Sequence, residues 1–232
     1  MTNDLWAAVD DYVADHLLPQ DPVLDAALTA SDAAGLSPGT ITAAQGKLLD
    51  LLTRACGARS ILELGTLGGY SSIWLARGLP QDGRLVTLEL DPRNAEVASA
   101  NIASAGLAER VQIRIGPARE TLPELHAEGA GPFDVIFLDA DKQDNPFYLQ
   151  WSLKLSRPGT LIIADNVVRG GAILDPQADD PQLGDGGIQG LRRFYEMLAA
   201  GVDGGLISAT AIQTVTAKGH DGLVLALVTD TT

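Results

Sequence analysis

Two short segments bring oxygen- and nitrogen-bearing side chains to the ends of apolar runs. FDVIFLDADK supplies Asp139, Asp141 and Lys142, and TLIIADN supplies Asp165 and Asn166. Two carboxylates and a carboxamide are hard oxygen donors that suit Mg²⁺, with Mn²⁺ or Ca²⁺ as alternatives and water or substrate completing the shell. No His or Cys cluster favours zinc; His16, His126 and His220 are scattered and read as surface residues. Asp and Asn also initiate turns after strands, so each of these residues taken singly reads as a cap. Taken together at two strand ends, Asp139, Asp165 and Asn166 read as ligands of one divalent ion. Lys142 stands three residues beyond Asp139. A phenol has a pKa of about 10 and attacks poorly while protonated; a cation on its oxygen lowers that value, and a nearby amine can take the proton. The competing reading of Lys142 is a loop lysine paired with Asp141 or Asp144.

A second constellation is the turn ELGTLGGYS (63–71). Gly65, Gly68 and Gly69 allow a tight turn and close approach of backbone to a ligand, and the helix that follows offers free N–H groups at its start. Glu89 ends the next apolar run, 24 residues after Gly65, where a carboxylate can accept from both hydroxyls of a ribose. Glu63 stands inside its own strand, where a carboxylate needs a partner: a cationic or amino-bearing ligand, or a neighbouring Lys or Arg. The glycines do not follow the G-x-G-x-x-G order of a dinucleotide site. An adenosine without phosphates fits better, and S-adenosylmethionine, with its ammonium and sulfonium, tolerates acidic surroundings. A nicotinamide-dependent oxidoreductase is the rival that keeps the same fold.

These residues require strands to carry them. Apolar spacing predicts helices over 4–18, 22–34 and 41–56, so that the first 56 residues form a helical lead-in. From residue 57 strands and helices alternate. Strands are expected at 60–65, 84–90, 111–116, 133–140 and 160–165, with helices from Tyr70, from Pro92 after an Asp91 cap, at 145–156 and at 188–200. Two last strands near 206–216 and 222–229 have no helix between them and should pair antiparallel. The alternation implies a Rossmann-like, doubly wound α/β sheet, mostly parallel, in one domain over 1–232. The Gly/Asp/Pro-rich loop 170–187 reads as a lid or as a surface loop.

The chain has 232 residues and a formal charge of −14. Such a surface repels phosphate backbones, which argues against nucleic acid as a partner; the adjacent pair Arg192–Arg193 reads as a solvated helix face. No apolar run is long enough to span a membrane, and the acidic beginning is unlike a signal peptide. The single cysteine, Cys56, fits a reducing cytoplasm and reads as a buried helical thiol.

At these residues the chain resembles the cation-dependent O-methyltransferases typified by caffeoyl-CoA and catechol O-methyltransferases, especially their small bacterial members. The likeness runs over about 38–230 and rests on TAAQGKLLDLL, ELGTLGGYS, VTLELD, GPARETLP, FDVIFLDADK, GTLIIADNVVRGG and a late DGL. The resemblance implies a class I methyltransferase fold of seven strands, with the last inserted antiparallel. It implies S-adenosylmethionine contacts at Ile41, Glu63, Gly65, Tyr70, Ser71, Glu89, Ala118 and Asp139. It assigns the metal to Asp139, Asp165 and Asn166 and the catalytic base to Lys142. It also implies a hydroxylated aromatic acceptor, catechol-like or phenylpropanoid, and a homodimer. The chain departs from the family at Leu67 and in QDNPFY. It departs again at Val167, Val168 and Arg169, where Arg169 meets an acidic acceptor or pairs with Asp175. A S-adenosylmethionine-binding protein without catalysis is the remaining alternative.

Overall fold

The computed structural model describes residues 2–37, 39–183 and 186–230. Contacts divide the chain into two compact units, Ala8–Thr121 and Met1–Ala7 with Leu122–Thr232. The seven-stranded sheet has the order β3-β2-β1-β4-β5-β7-β6, and β7 alone runs antiparallel to its neighbours. The expected α/β class, with one antiparallel strand inserted late in the chain, therefore holds.

The unit Ala8–Thr121 begins with most of α1 (Thr2–Leu17), followed by α2 (Pro22–Ala33) and α3 (Ala43–Ala55). Asp21 caps α2 through the amides of Val23 and Leu24, ahead of Pro22. Burial opposes the charge on Asp21, yet hydrogen bonds from Arg77 and from those two amides hold its carboxyl below the usual range. The T-A-A-Q sequence before α3 is a reciprocal capping box between Thr42 and Gln45. Then come β1 (Ser60–Leu64), α4 (Tyr70–Gly78), β2 (Arg84–Glu89), α5 (Pro92–Ser104) and β3 (Val111–Ile115). Asp91 caps α5 as expected. Strands β1 and β2 pair in parallel with Leu64 opposite Leu88, and β2 and β3 with Glu89 opposite Ile115.

In the other unit β4 (Val135–Leu138), α7 (Asn145–Lys154) and β5 (Leu161–Asp165) lead to α8 (Gly187–Asp203), β6 (Ile207–Thr216) and β7 (Gly219–Val228). β4 and β5 are parallel, with Leu138 opposite Ala164. β7 sets Leu223 opposite Asp165 and turns from β6 across Ala217 and Lys218, with Thr216 opposite Gly219. Two residues of the loop 170–187, Gly184 and Asp185, lie outside the described residues.

Three expectations need correction. A helix, α6 (Ala118–Ala127), stands between β3 and β4 where none was assigned, although Pro123 lies inside it. Leu122 and Leu125 are completely buried on it, so packing outweighs the proline's local preference. Cys56 shares the helical phase of buried Leu49 but is exposed, because α3 stops at Ala55 and Gly57 turns the chain away at φ +60°. β4 is shorter than expected, which leaves Asp139 and Ala140 beyond its carboxyl end.

Candidate active site

In the unit Ala8–Thr121, parallel register brings the end of β1 level with the end of β2. Gly65, one residue past the Leu64–Leu88 pair, comes level with Glu89, and its amide donates to the Leu88 carbonyl at 3.0 Å. Gly65 and Gly69 have φ of +95° and +79°, a region that favours glycine. Between them Leu67 adopts φ +49°, a strained value for a residue with a Cβ. Glu89 secures that strain: its Oε2 accepts from the amides of Leu67 at 2.8 Å and Thr66 at 3.3 Å. Its Oε1 accepts from the Asp91 amide at 2.9 Å and from Asn94 Nδ2 at 3.3 Å. This buried carboxylate thus organises the glycine turn itself, a role that the expectation of ribose binding did not include. Asn101 pins the same turn by donating to the Gly68 carbonyl at 2.9 Å.

Glu63 is fully buried on β1 and accepts a hydrogen bond from the Ser72 hydroxyl in the first turn of α4. α4 starts at Gly69 without a side-chain cap, so its early amides have no side-chain oxygen from the N-cap. Tyr70, the first residue of α4, is buried and packs edge-on against Trp74; burial pushes its phenol upward. Ser71 is half-buried beside it, Ile41 is buried just ahead of α3, and Ala118 opens α6 half-buried. This donor set of glycine backbone, uncapped amides and two buried carboxylates suits a polar ligand that carries positive charge rather than a polyphosphate.

In the other unit, the register of β4 and β5 extended by one residue places Asp139 level with Asp165, at about the 4.8 Å spacing of adjacent strands. Asp165 is 3% exposed. Burial and then the neighbouring Asp139 charge push its carboxyl up from 3.8 to about 7, against the attraction of Lys142. Lys142 is equally buried, at 3%, and its Nζ lies 3.0 Å from Asp139 Oδ1. Its partner is therefore Asp139, neither Asp141 nor Asp144; Asp141 accepts instead from the Tyr148 hydroxyl at 2.5 Å. Asn166 adopts φ +56° and its amide donates to Asp165 Oδ1 at 2.8 Å. The structure thus gathers Asp139, Lys142 and Asp165 closely, with Asn166 adjoining. Among the described residues no three His, Cys, Asp or Glu side chains form a metal-holding group. Asp139 and Asp165 therefore make a set of three ligating side chains only with Asn166. A carboxyl whose ionisation is opposed first by burial and then by a second carboxylate fits a cation in that place.

Further residues shape this cluster that sequence reasoning did not assign. α8 packs on the turn Lys142–Asp144 at Gly190, where a Cβ would lie 2.3 Å from the Lys142 carbonyl oxygen. Asp221 of β7 accepts from the amides of Val168 and Arg169, both at 3.0 Å, and its charge opposes ionisation of Asp165. Arg169, at φ +51°, pairs with Asp180 at 2.8 Å and Asp221 at 3.5 Å and donates to Gln182. Arg169 thus fastens the described part of the loop after β5 to β7, and its acidic partners are these rather than Asp175. The DGL motif was the available signal for Asp221; nothing in the periodicity marked Gly190.

Comparison with known proteins places the chain in a family. The model of the O-methyltransferase family matches residues 20–219. A catechol O-methyltransferase of Niastella koreensis is 50% identical over 228 residues, 98% of this chain and 100% of that protein. The crystal structure of an O-methyltransferase from Bacillus cereus in complex with SAH is 51% identical, with a TM-score of 0.92 over 97% of this chain and 99% of that one. TomG, an O-methyltransferase from Streptomyces achromogenes involved in tomaymycin synthesis and solved in complex with SAM, is 49% identical, with a TM-score of 0.92 over 99% of both chains. With a family match over most of its length and relatives of this identity, the chain belongs to the O-methyltransferase family.

Proposed function

We propose that this protein transfers a methyl group from S-adenosylmethionine (SAM) to a hydroxyl of a catechol-like or phenylpropanoid acceptor, with the help of a divalent cation, Mg²⁺ first. The observation that carries this reading is the cluster of buried Lys142 and Asp165 with half-buried Asp139 at two adjacent strand ends. The names of the Niastella relative and of the SAH and SAM complexes support the donor and the acceptor class.

Ile41, Glu63, Gly65, Tyr70, Ser71, Glu89 and Ala118, with Asp139, would hold the methyl donor. Glu63 would face its cationic groups and Glu89 its ribose hydroxyls, and the rigid glycine turn would fix its orientation. Asp139, Asp165 and Asn166 would hold the cation, which when bound polarises an acceptor hydroxyl and lowers its pKa. Lys142 would receive the proton of the attacking hydroxyl at its Nζ as the neutral amine, the form that a divalent cation beside it would favour. Its burial shields that transfer from water, and its contact with Asp139 fixes where the amine stands. Methyl transfer then forms the oxygen–carbon bond as the carbon–sulfur bond breaks. Alignment of the two reactants can supply on the order of 7–11 kcal/mol.

We further infer one methyltransferase domain over 1–232, with 1–56 as its helical lead-in, acting as a cytoplasmic homodimer without nucleic acid or membrane partners. Leu5, Val9, Tyr12 and Leu17 stand exposed on α1, an apolar stripe that supports pairing with a second copy. No helix among the described residues is long and apolar enough to cross a membrane.

The test is methyl transfer to a panel of catechols and phenylpropanoids, read by mass spectrometry. Activity should vanish in excess chelator and return with Mg²⁺; full activity in chelator would remove the cation from the reaction.

A further inference from the structure

Around the acid cluster stand three cations with different attachments. Lys142 pairs with Asp139, and Arg169 is held by Asp180, Asp221 and Gln182. Lys218, at the tip of the β6–β7 hairpin, forms no side-chain ion pair among the described residues; its backbone amide donates to Thr216 Oγ1 at 3.1 Å.

Topology brings that tip to the cluster. β7 is antiparallel to β5 and pairs Leu223 with Asp165. Residues 219–222 and the turn before them therefore project past the carboxyl end of β5, at the sheet end where Asp139 and Asp165 stand. The base of the arm is fixed: Val167 N donates to the Gly222 carbonyl at 3.2 Å, and Asp221 binds the amides of Val168 and Arg169. A Cβ on Gly222 would lie 2.6 Å from Val168 Cγ2, so the arm approaches as closely as a glycine permits. Partial burial works against the Lys218 charge and lowers its pKa on balance, while Asp139 and then Asp165 attract the ammonium. The lysine itself is exposed and thus accessible to a ligand.

An anionic acceptor entering here would meet two carboxylates and the field of a chain whose net charge is −14. A cation without an ion-pair partner beside them offsets that repulsion locally and favours one orientation over others. We infer that Lys218 is a specificity-determining residue whose ammonium binds a carboxylate substituent on the acceptor while the acceptor's hydroxyls face Asp139, Asp165 and Lys142. This inference rests on the proposed methyl transfer to a catechol.

The experiment compares catechol with 3,4-dihydroxybenzoate at saturating SAM and Mg²⁺, for the native chain, Lys218→Met, Lys218→Arg and Lys218→Glu. The readout is the ratio of kcat/KM for the carboxylated acceptor to that for the neutral one, a ratio that cancels general effects on folding, cation or donor. Lys218→Met should lower this ratio about tenfold, mainly through KM, as expected for loss of a charge-assisted hydrogen bond. Lys218→Arg should keep most of it, and Lys218→Glu should lower it further. Calorimetric titration of both acceptors in the presence of SAH and Mg²⁺ should show the same ordering. A ratio indifferent to all three substitutions overturns the role of Lys218 while leaving the reaction class intact. If the native chain methylates neither acceptor, the reading of the reaction falls, and the inference falls with it.

Discussion

At the level of single residues, the decisive feature is a buried lysine paired with Asp139 and close enough to Asp165 to attract its charge. Lys142→Ala should leave calorimetric binding of SAM intact while the single-turnover rate drops about 10²–10⁴-fold, the usual worth of a general base; an unchanged single-turnover rate rejects the assignment. Asp165 gives a pH signature in chelator. Burial, and then Asp139, raise its carboxyl to about 7, so between pH 4 and 7 the folded chain keeps a proton that the unfolded chain has released. Stability then falls as pH rises through that window and levels off above it, by an amount on the order of a few kcal/mol. Urea unfolding of the native chain against Asp165→Asn checks this: the difference between them should shift across pH 4–7, and a flat difference refutes it. Residue types disclosed the candidates here, because hard oxygen donors and an amine at strand ends have a restricted chemistry. They did not disclose partners. The competing reading of Lys142 paired it with Asp141 or Asp144, and one of two readings of Arg169 paired it with Asp175, whereas the turn after β4 and the loop after β5 direct them to Asp139 and to Asp180 with Asp221.

At the level of elements, small residues set how closely helices approach the catalytic turns. Gly190 lets α8 rest on the backbone of Lys142 and Gln143, where a Cβ would stand 2.3 Å and 2.5 Å from their atoms. Gly190→Ala should therefore destabilise the chain by about 1–3 kcal/mol and lower kcat more than it alters SAM binding, because the displaced turn carries Lys142. Chemical denaturation together with kcat measures both; full stability and full kcat would show that the turn tolerates the added methyl. Most elements were legible from sequence because apolar periodicity and caps such as Asp91-Pro92 and the Thr42–Gln45 box are local signals. α6 was missed because its Pro123 is a local argument against a helix, and only the burial of Leu122 and Leu125 overrides it.

At the level of the whole molecule, ligand linkage gives the most direct check of the donor. SAH at a hundredfold its Kd should stabilise the folded chain by about 2.7 kcal/mol, which for a chain of this size raises Tm by roughly 5–10 °C. NADH should give no shift; the reverse pattern would favour the oxidoreductase reading over the methyltransferase.

The sequence by itself determined the alternation of strands and helices, the late antiparallel pair, the glycine turn with its distant carboxylate, and the identity of the acidic and basic groups that could share a reaction. These follow from spacing along the chain and from side-chain chemistry, both of which are local. Tertiary structure alone decided that Asp139 and Asp165 stand level, since parallel register between β4 and β5 pairs positions 26 apart in the chain. It alone decided that Glu89 clamps the glycine turn and that the β6–β7 turn carrying Lys218, 53 residues beyond Asp165, projects past the carboxyl end of β5. Strand pairing is a non-local choice, made by the packing of the sheet as a unit, and no pattern within either segment records it.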